Sequence, residues 1–386
     1  MPPVRLKKAM SNTPDCLVLF SGGLDSILAA RLLQEQGLHP LCLHFFSPFF
    51  GSPGKIRHWE AVHGLKIRAI DASRDFITML VNSPPHGTGK TLNPCIDCKI
   101  VLLRAAREIM AATGAKFIAT GEVSGQRPMS QRPDAMNIIA RESGCQNELL
   151  RPLCARHCPP APGCVSALVN LEKLPSISGR GRNAQLQLAK ELEIEEIPTP
   201  AGGCRLTEIE NSRRYWVILK RHQNNAGSRT VAELAKDFSL ANLGRMFADH
   251  RDGFRHWVCI GRNRQDNQKI MAAKMDSDAI LRLPFPGPLA LCREGKSWPQ
   301  EKLREAAEIL ASCTTRHGGS AVDIREGEGM TMRVCADRHA QTWGLPEWRD
   351  IREELRALRR QKQQDKKNTA AFLHNADVSA SMTDEK

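Results

Sequence analysis

The stretch Cys16-Leu17-Val18-Leu19-Phe20-Ser21-Gly22-Gly23-Leu24-Asp25-Ser26 decides the fold. Five mostly apolar residues read as a buried strand. A Ser-Gly-Gly turn follows, and a helix opens at Asp25 and runs to about Gln36, with Gly37 as its stop. Two adjacent glycines let backbone amides approach an anion with no side chain in the way. The helix start adds unpaired N–H groups and a partial positive charge. Ser21 and Ser26 can donate hydroxyl hydrogen bonds, so the segment makes a phosphate cradle. No Gly-Lys-Ser/Thr ends it, which separates it from a Walker loop.

Outward from this corner, strands and helices alternate as far as about Leu150. Leu41–Phe46 and Lys66–Asp71 read as strands, and Ile100–Thr113 as a helix stopped by Gly114. Lys116–Glu122 reads as a strand running into a turn. The alternation predicts an α/β fold, a parallel sheet doubly wound with helices on both faces, with ligands at the carboxyl ends of its strands. The Ser21 loop and Thr120-Gly121-Glu122 both fall at such ends. Between Leu153 and Pro175 proline and cysteine accumulate, and no regular structure is expected. Arg180–Leu192 reads as a helix that is basic at its start. From near Arg213 short β-like segments and helices form a second, smaller α+β unit. Trp348–Lys367 reads as a charged helix that fades into a basic tail. The expected domains are 13–210, 213–346 and 347–386.

The 386 residues carry 55 Lys and Arg against 42 Asp and Glu, a net charge of +13. That excess points to a polyanionic partner, RNA before membrane. No apolar run approaches the ~18 residues of a membrane span, and Met1–Asn12 lacks an apolar core for a secretory signal. A cytoplasmic location is therefore expected. Thirteen cysteines then argue for metal, cluster or sulfur chemistry over disulfides.

Asn93-Pro94-Cys95-Ile96-Asp97-Cys98-Lys99 places a Cys-x-x-Cys at a helix start, where thiol pKa falls and both sulfurs face one side. It reads as a redox pair, half a metal site or a persulfide carrier. Cys204 follows the rigid turn Pro200-Ala201-Gly202-Gly203. Cys95, Cys98 and Cys204 could together hold a [4Fe–4S] cluster with one iron open, or zinc. Cys154, Cys158 and Cys164 lie in the Pro-rich stretch with His157 and fit no zinc spacing, so they read as incidental thiols. Cys16, Cys42, Cys259, Cys292 and Cys335 read as small core residues. His44 could reach a nucleotide or be a satisfied core histidine. Arg151 is a candidate anion clamp, and Arg180 and Arg182 are candidate phosphate contacts.

Ser21–Ser26 resembles the pyrophosphate loop of the ATP pyrophosphatase, or PP-loop, superfamily, whose fold is the adenine nucleotide alpha-hydrolase type. With Asn93–Lys99, Thr120–Gln131, Leu150–Leu153, Gly179–Gln185 and Pro200–Thr207, the set resembles tRNA thiolation enzymes similar to tRNA 4-thiouridine synthase or tRNA 2-thiouridylase. The resemblance implies an ATP-dependent sulfurtransferase that adenylates a uracil carbonyl of tRNA. It implies Mg²⁺ with ATP, and sulfur from a donor protein or sulfide carried on a [4Fe–4S] cluster or a persulfide. Ser21, Gly22, Gly23, Asp25, Ser26, His44, Thr120, Gly121 and Arg151 are then the nucleotide-binding positions. Asp25, Cys95, Cys98 and Cys204 are the catalytic ones, the three cysteines also being the metal ligands. In the second unit, Asn242–Phe247, Ile260–Asn263 with Asn267, and Pro286-Gly287-Pro288 resemble the NFACT RNA-binding module, with Met246 where histidine is common. Two other classes fit parts of the pattern: a PP-loop enzyme with another acceptor, amide-forming or transferring sulfur to a small molecule, and a non-catalytic RNA-binding factor.

Overall fold

In a computed structural model of the chain, which describes residues 13–161, 165, 168–199, 203–224, 229–314, 321–327, 329–361 and 364, the run after Asp15 is strand β1 (Cys16–Leu19). It is followed by α1 (Leu24–Gln34), β2 (Pro40–Phe46), α2 (Ile56–His63) and β3 (Lys66–Asp71). Then come α3 (Ser73–Val81), α4 (Cys95–Thr113), β4 (Phe117–Thr120), α5 (Pro133–Glu142), β5 (Leu149–Leu150) and α6 (Asn183–Glu191). The sheet is parallel throughout, in the order β3-β2-β1-β4-β5. Cys16, Val18 and Phe20 pack into one buried cluster and Leu17 and Leu19 into another. That is the period-2 alternation of a strand covered on both faces. Strand order reverses between β1 and β4, so the crevice beyond their carboxyl ends is the switch point at which doubly wound sheets bind ligands.

The expected elements are present, and the structure adds four that periodicity did not reveal: α2, α3, α5 and the two-residue β5. Those helices are short, and β5 is long enough only to complete an edge. Helix α4 begins at Cys95, five residues before the expected start, so the Cys-x-x-Cys lies inside its first turn. Pro94, which cannot continue a helix backward with an N–H donor, stands at its N-cap.

The chain divides between Thr207 and Glu208 into two units. The second contains α7 (Ile209–Asn224), α8 (Val231–Ala241), β6 (Arg245–Asp249), β7 (Trp257–Ile260), α9 (Arg264–Ala272), β8 (Ala279–Arg282) and β9 (Leu289–Cys292). It continues with α10 (Gln300–Ser312), β10 (Val322–Glu326), β11 (Thr331–Val334) and β12 (Trp343–Gly344). Its seven strands pair antiparallel in the order β11-β10-β8-β9-β7-β6-β12. Residues 348–361 are helical; the rest of the basic tail, apart from residue 364, lies outside the described residues. Cys16, Cys42, Cys259 and Cys292 are buried as expected, whereas Cys335 is exposed beyond the end of β11. No helix among the described residues is long and apolar enough to cross a membrane.

Asp249 ends β6 with no exposed surface. It accepts bonds from Arg251 N (3.0 Å), Nε (2.9 Å) and Nη2 (2.8 Å), and from Lys302 Nζ. Burial alone would raise its carboxyl, but these donors outweigh it and hold the pKa at about 2 against an ordinary 3.8. A depressed carboxyl stabilises the fold above its unfolded pKa and loses that contribution as pH falls through the folded value. The gap corresponds to about 2 kcal/mol. Asp249→Asn is therefore expected to destabilise the second unit at neutral pH, with the difference from wild type shrinking between about pH 4 and pH 2. Urea unfolding of both proteins across that range, read by tryptophan fluorescence, tests this; a difference independent of pH would refute it.

Candidate functional site

The Ser21 loop is held in shape by its own side chains. Ser26 Oγ donates to Gly23 O (2.8 Å) and accepts from Ser21 N (3.2 Å), while Ser21 Oγ accepts from Gly23 N (3.3 Å). Ser26 is buried and committed to this network; Ser21 is exposed. Gly23 caps α1 in an extended conformation with no side-chain cap bond. The first N–H groups of α1 thus have no partner within the helix and form the donor end of the cradle.

Two glycines are required by contact. Gly22 has φ +79°, and an added Cβ would fall inside the Trp59 ring. Trp59, on α2, is held over the loop by Phe20 (ring centroids 5.5 Å) and His44 (4.9 Å). At Gly121, just past β4, a Cβ would meet the Asp25 carbonyl and lie 2.7 Å from Ser26 N. The backbone after β4 therefore touches the backbone at the start of α1, and both loops close on one crevice.

His44 is not available to a nucleotide. Its Nε2 accepts from Ser52 N (2.8 Å), so the ring hydrogen sits on Nδ1 and is donated to Phe20 O (3.0 Å). Burial holds its pKa below the ordinary imidazole value. It braces the residue that precedes the Ser21 loop. Arg151 is likewise spent: it is buried, with Nε on Glu122 Oε2 (3.2 Å) and Nη2 on the Met136 carbonyl (3.0 Å). The expected anion clamp is the counterion of Glu122. Burial would push the Glu122 carboxyl up, but Lys99 (3.7 Å) and Arg151 overcome it and hold it below the ordinary range; Thr120 Oγ1 also donates to it (3.1 Å). Nothing local in the sequence signals this role for Glu122.

Asp25 lies half-buried in the first turn of α1. Burial raises its carboxyl, opposed by Gln126, Arg182, Arg127 and Gln185 around it. Among the described residues, Asp25 Oδ1, Gln126 Oε1 and both amide atoms of the fully buried Gln185 nevertheless find no hydrogen-bond partner. Orphaned polar atoms of this kind are rare inside proteins and call for a water, an ion or a ligand to complete the pairing. Ser124 and Ser178 form a bridge that carries Arg182 and Gln185, at the start of α6, to the loop holding Gln126.

The three cysteines lie in the same unit. Cys204 forms a bridge with Phe50 beyond β2, and Arg205 N donates to Phe49 O (2.9 Å). Thr91 Oγ1 lies 2.7 Å from Leu206 O, tying the segment before α4 to the segment after Cys204. Asn93 Nδ2 donates to Cys95 Sγ (3.1 Å). Desolvation and the nearby Cys204 and Cys95 push the Cys98 thiol well up, with Lys99 pulling the other way. All three are partly exposed, but among the described residues no three His, Cys, Asp or Glu side chains are grouped to hold a metal ion. The thiols are neighbours without forming a metal cage. Pro200 to Gly202, Cys164 and the residues around it lie outside the described residues.

In the second unit the motif residues have structural roles. Gly244 has φ +48° and packs on the Ile260 carbonyl. Asn263 Oδ1 caps α9 by accepting from Asp266 N (2.9 Å), and Asn267 bonds Gly287 O (3.0 Å) and Leu289 N (3.3 Å). A groove of about 800 Å³ is lined by Trp216, Lys220, His250 and Phe254, with Arg213 paired to Glu347 and Lys220 to Glu354.

Residues 12–157 match the family model described as thiamine biosynthesis protein (ThiI). The chain is 37% identical over 117 residues to a tRNA-specific 2-thiouridylase MnmA of Pelobacter propionicus, covering 27% of this chain and 32% of that protein. It is 33% identical over 119 residues to a probable tRNA sulfurtransferase of Methanosarcina mazei, covering 28% of each. The chain spans about a third of the length of these curated relatives. A solved structure titled as a predicted subunit of tRNA methyltransferase from Methanocaldococcus jannaschii aligns over 36% of this chain and 69% of its own at 18% identity and TM-score 0.26, too loose to carry an argument. The residues that bear the Ser21 loop thus lie within the stretch similar to the ThiI family.

Proposed function

We propose that the chain is an ATP-dependent tRNA sulfurtransferase that adenylates a uracil carbonyl and replaces its oxygen with sulfur in the cytoplasm. The observation that carries the reading is the joining, in one parallel α/β unit, of a Ser-Gly-Gly phosphate cradle with three neighbouring cysteines. The sequence likenesses to a 2-thiouridylase and a sulfurtransferase support it. The +13 charge and the aromatic groove of the second unit suit an RNA partner, with that unit as an RNA-binding module.

The loop amides and the start of α1 receive the β- and γ-phosphates, where the helix dipole favours negative charge. A carbonyl oxygen of the base attacks the α-phosphorus, and pyrophosphate leaves into the cradle. The base oxygen, now esterified to AMP, has become a good leaving group. A sulfur nucleophile adds to the same carbon and AMP departs. The orphaned oxygens of Asp25 and Gln126 are the hard donors that would hold Mg²⁺, which would neutralise phosphate charge when bound with ATP. Glu122, held ionised by Lys99 and Arg151, keeps β4 and α4 in register beside the crevice. A persulfide on Cys95, Cys98 or Cys204 is a sulfur carrier that these neighbouring thiols allow: the receiving thiolate takes the outer sulfur of a donor protein's persulfide and the donor leaves as a thiolate, whereas free sulfide would attack the adenylated carbon directly.

The test is mass spectrometry of tRNA nucleosides from a deletion strain complemented with wild type or Cys204→Ala, paired with pyrophosphate release by the purified proteins with and without tRNA. Wild type is expected to restore one thionucleoside. Cys204→Ala is expected to restore none while still releasing pyrophosphate when tRNA is added. A complete set of thionucleosides in the deletion strain, with pyrophosphate release indifferent to tRNA, would move the reading to another acceptor.

A further inference from the structure

Cys154 and Cys158 play no part in the chemistry above. Cys158 N donates to Cys154 O (2.9 Å), so the two stand one helical turn apart and their thiols are neighbours. Cys154 is fully buried, and its thiol donates to the Glu122 carbonyl (3.2 Å), at the end of the strand that packs on the Ser21 loop. Cys158 is partly exposed. The turn is anchored from both sides: Ile177 N donates to Leu153 O (2.8 Å), Cys154 bridges Ser176, and Ser176 Oγ lies 3.1 Å from His157 Nε2. One cysteine is partly exposed, its partner stands a turn away inside the protein, and the deeper thiol bonds the backbone of the candidate site.

We propose that Cys154 and Cys158 are a redox site, closed to an intramolecular disulfide by a small-molecule disulfide such as oxidised glutathione. The partly exposed Cys158 thiolate attacks one glutathione sulfur, forming a mixed disulfide and releasing one reduced glutathione. The Cys154 thiolate then displaces the second glutathione. Two protein thiols are oxidised, one glutathione disulfide is reduced to two thiols, and the two protons go with them. Burial pushes the Cys154 thiol up to about 12, which makes it the resolving partner and Cys158 the attacking one. Residues a turn apart have Cβ atoms about 5–6 Å apart, against roughly 3.5–4.5 Å in a disulfide. Closure must tighten the turn, and a bond made under that constraint is readily reduced again. It also removes the hydrogen that Cys154 gives the Glu122 carbonyl, so oxidation loosens the strand end behind the Ser21 loop.

The test treats the native full-length chain with oxidised glutathione, blocks remaining thiols with N-ethylmaleimide, and maps tryptic peptides by mass spectrometry. Arg156 lies between the two cysteines, so cleavage there leaves them on separate peptides joined only by the new bond. The expected result is loss of both free thiols and a Cys154–Cys158 cross-link that dithiothreitol reverses. In Cys158→Ser, Cys154 is expected to stay reduced; in Cys154→Ser, Cys158 is expected to retain one glutathione. A cross-link from Cys158 to Cys164, a wild-type mixed disulfide that never closes, or two unreacted thiols would each overturn the proposal.

Discussion

Glu122→Ala is expected to destabilise the N-terminal unit by about 3–5 kcal/mol, the cost of leaving a buried charge without its partner. Arg151 is 6% exposed, and among the described residues Glu122 is the carboxylate paired with its guanidinium; Met136 offers it only a carbonyl. Removing the carboxylate strands that charge, frees Lys99 and takes away the acceptor for Thr120 Oγ1. Hydrogen exchange of the β1 and β4 amides under increasing urea reads the effect in this unit of the full chain. The double variant Glu122→Leu/Arg151→Met is expected to recover part of the loss, since an apolar pair of similar volume carries no desolvation cost. A Glu122→Ala protein within about 0.5 kcal/mol of wild type, as for a surface substitution, would mean that the pair does not hold the β4 end in place.

The second large effect is catalytic. Gly22→Ala is expected to lower pyrophosphate release by about 100-fold while the protein stays folded, because a displacement near 1 Å in a positioning loop costs that much. Two causes add. The left-handed backbone at φ +79° costs an L-residue roughly 1–2 kcal/mol, and the new methyl must displace the Trp59 ring. Trp59→Leu in the same protein removes the second cause and leaves the first, so activity is expected to return in part. Rescue to the full wild-type rate would show that backbone conformation contributes nothing. No rescue at all would show that the ring is not what the methyl meets.

Much of the N-terminal fold was legible because its signals are local. The apolar run before Ser21, the Ser-Gly-Gly turn and Gly114 after the long helix are each read within a few residues. The start of α4 was misjudged because Cys95-Ile96-Asp97-Cys98 looks like a loop motif and carries weak helix preference. The Pro94 N-cap and packing of Ile100 and Leu103 against the sheet set the boundary instead. Helices α2, α3 and α5 are short enough that tertiary burial of one face, more than pattern length, makes them helical.

By itself, the sequence determined the Ser-Gly-Gly turn and its place after the first strand, the parallel α/β class of the first unit, the basic charge and the set of thiols. All of these follow from residue type and short spacing. The tertiary structure decided which polar groups were already spent. It committed His44 to Phe20 and Ser52, and Arg151 to Glu122, and it placed Trp59 over Gly22. Among the described residues it left buried atoms of Asp25 and Gln185 without hydrogen-bond partners, and it brought Cys204 to a Cys-x-x-Cys more than one hundred residues earlier. The physical reason is that a turn or a strand is fixed by its own few residues, whereas whether a buried donor or charge is free depends on partners the chain delivers from far away.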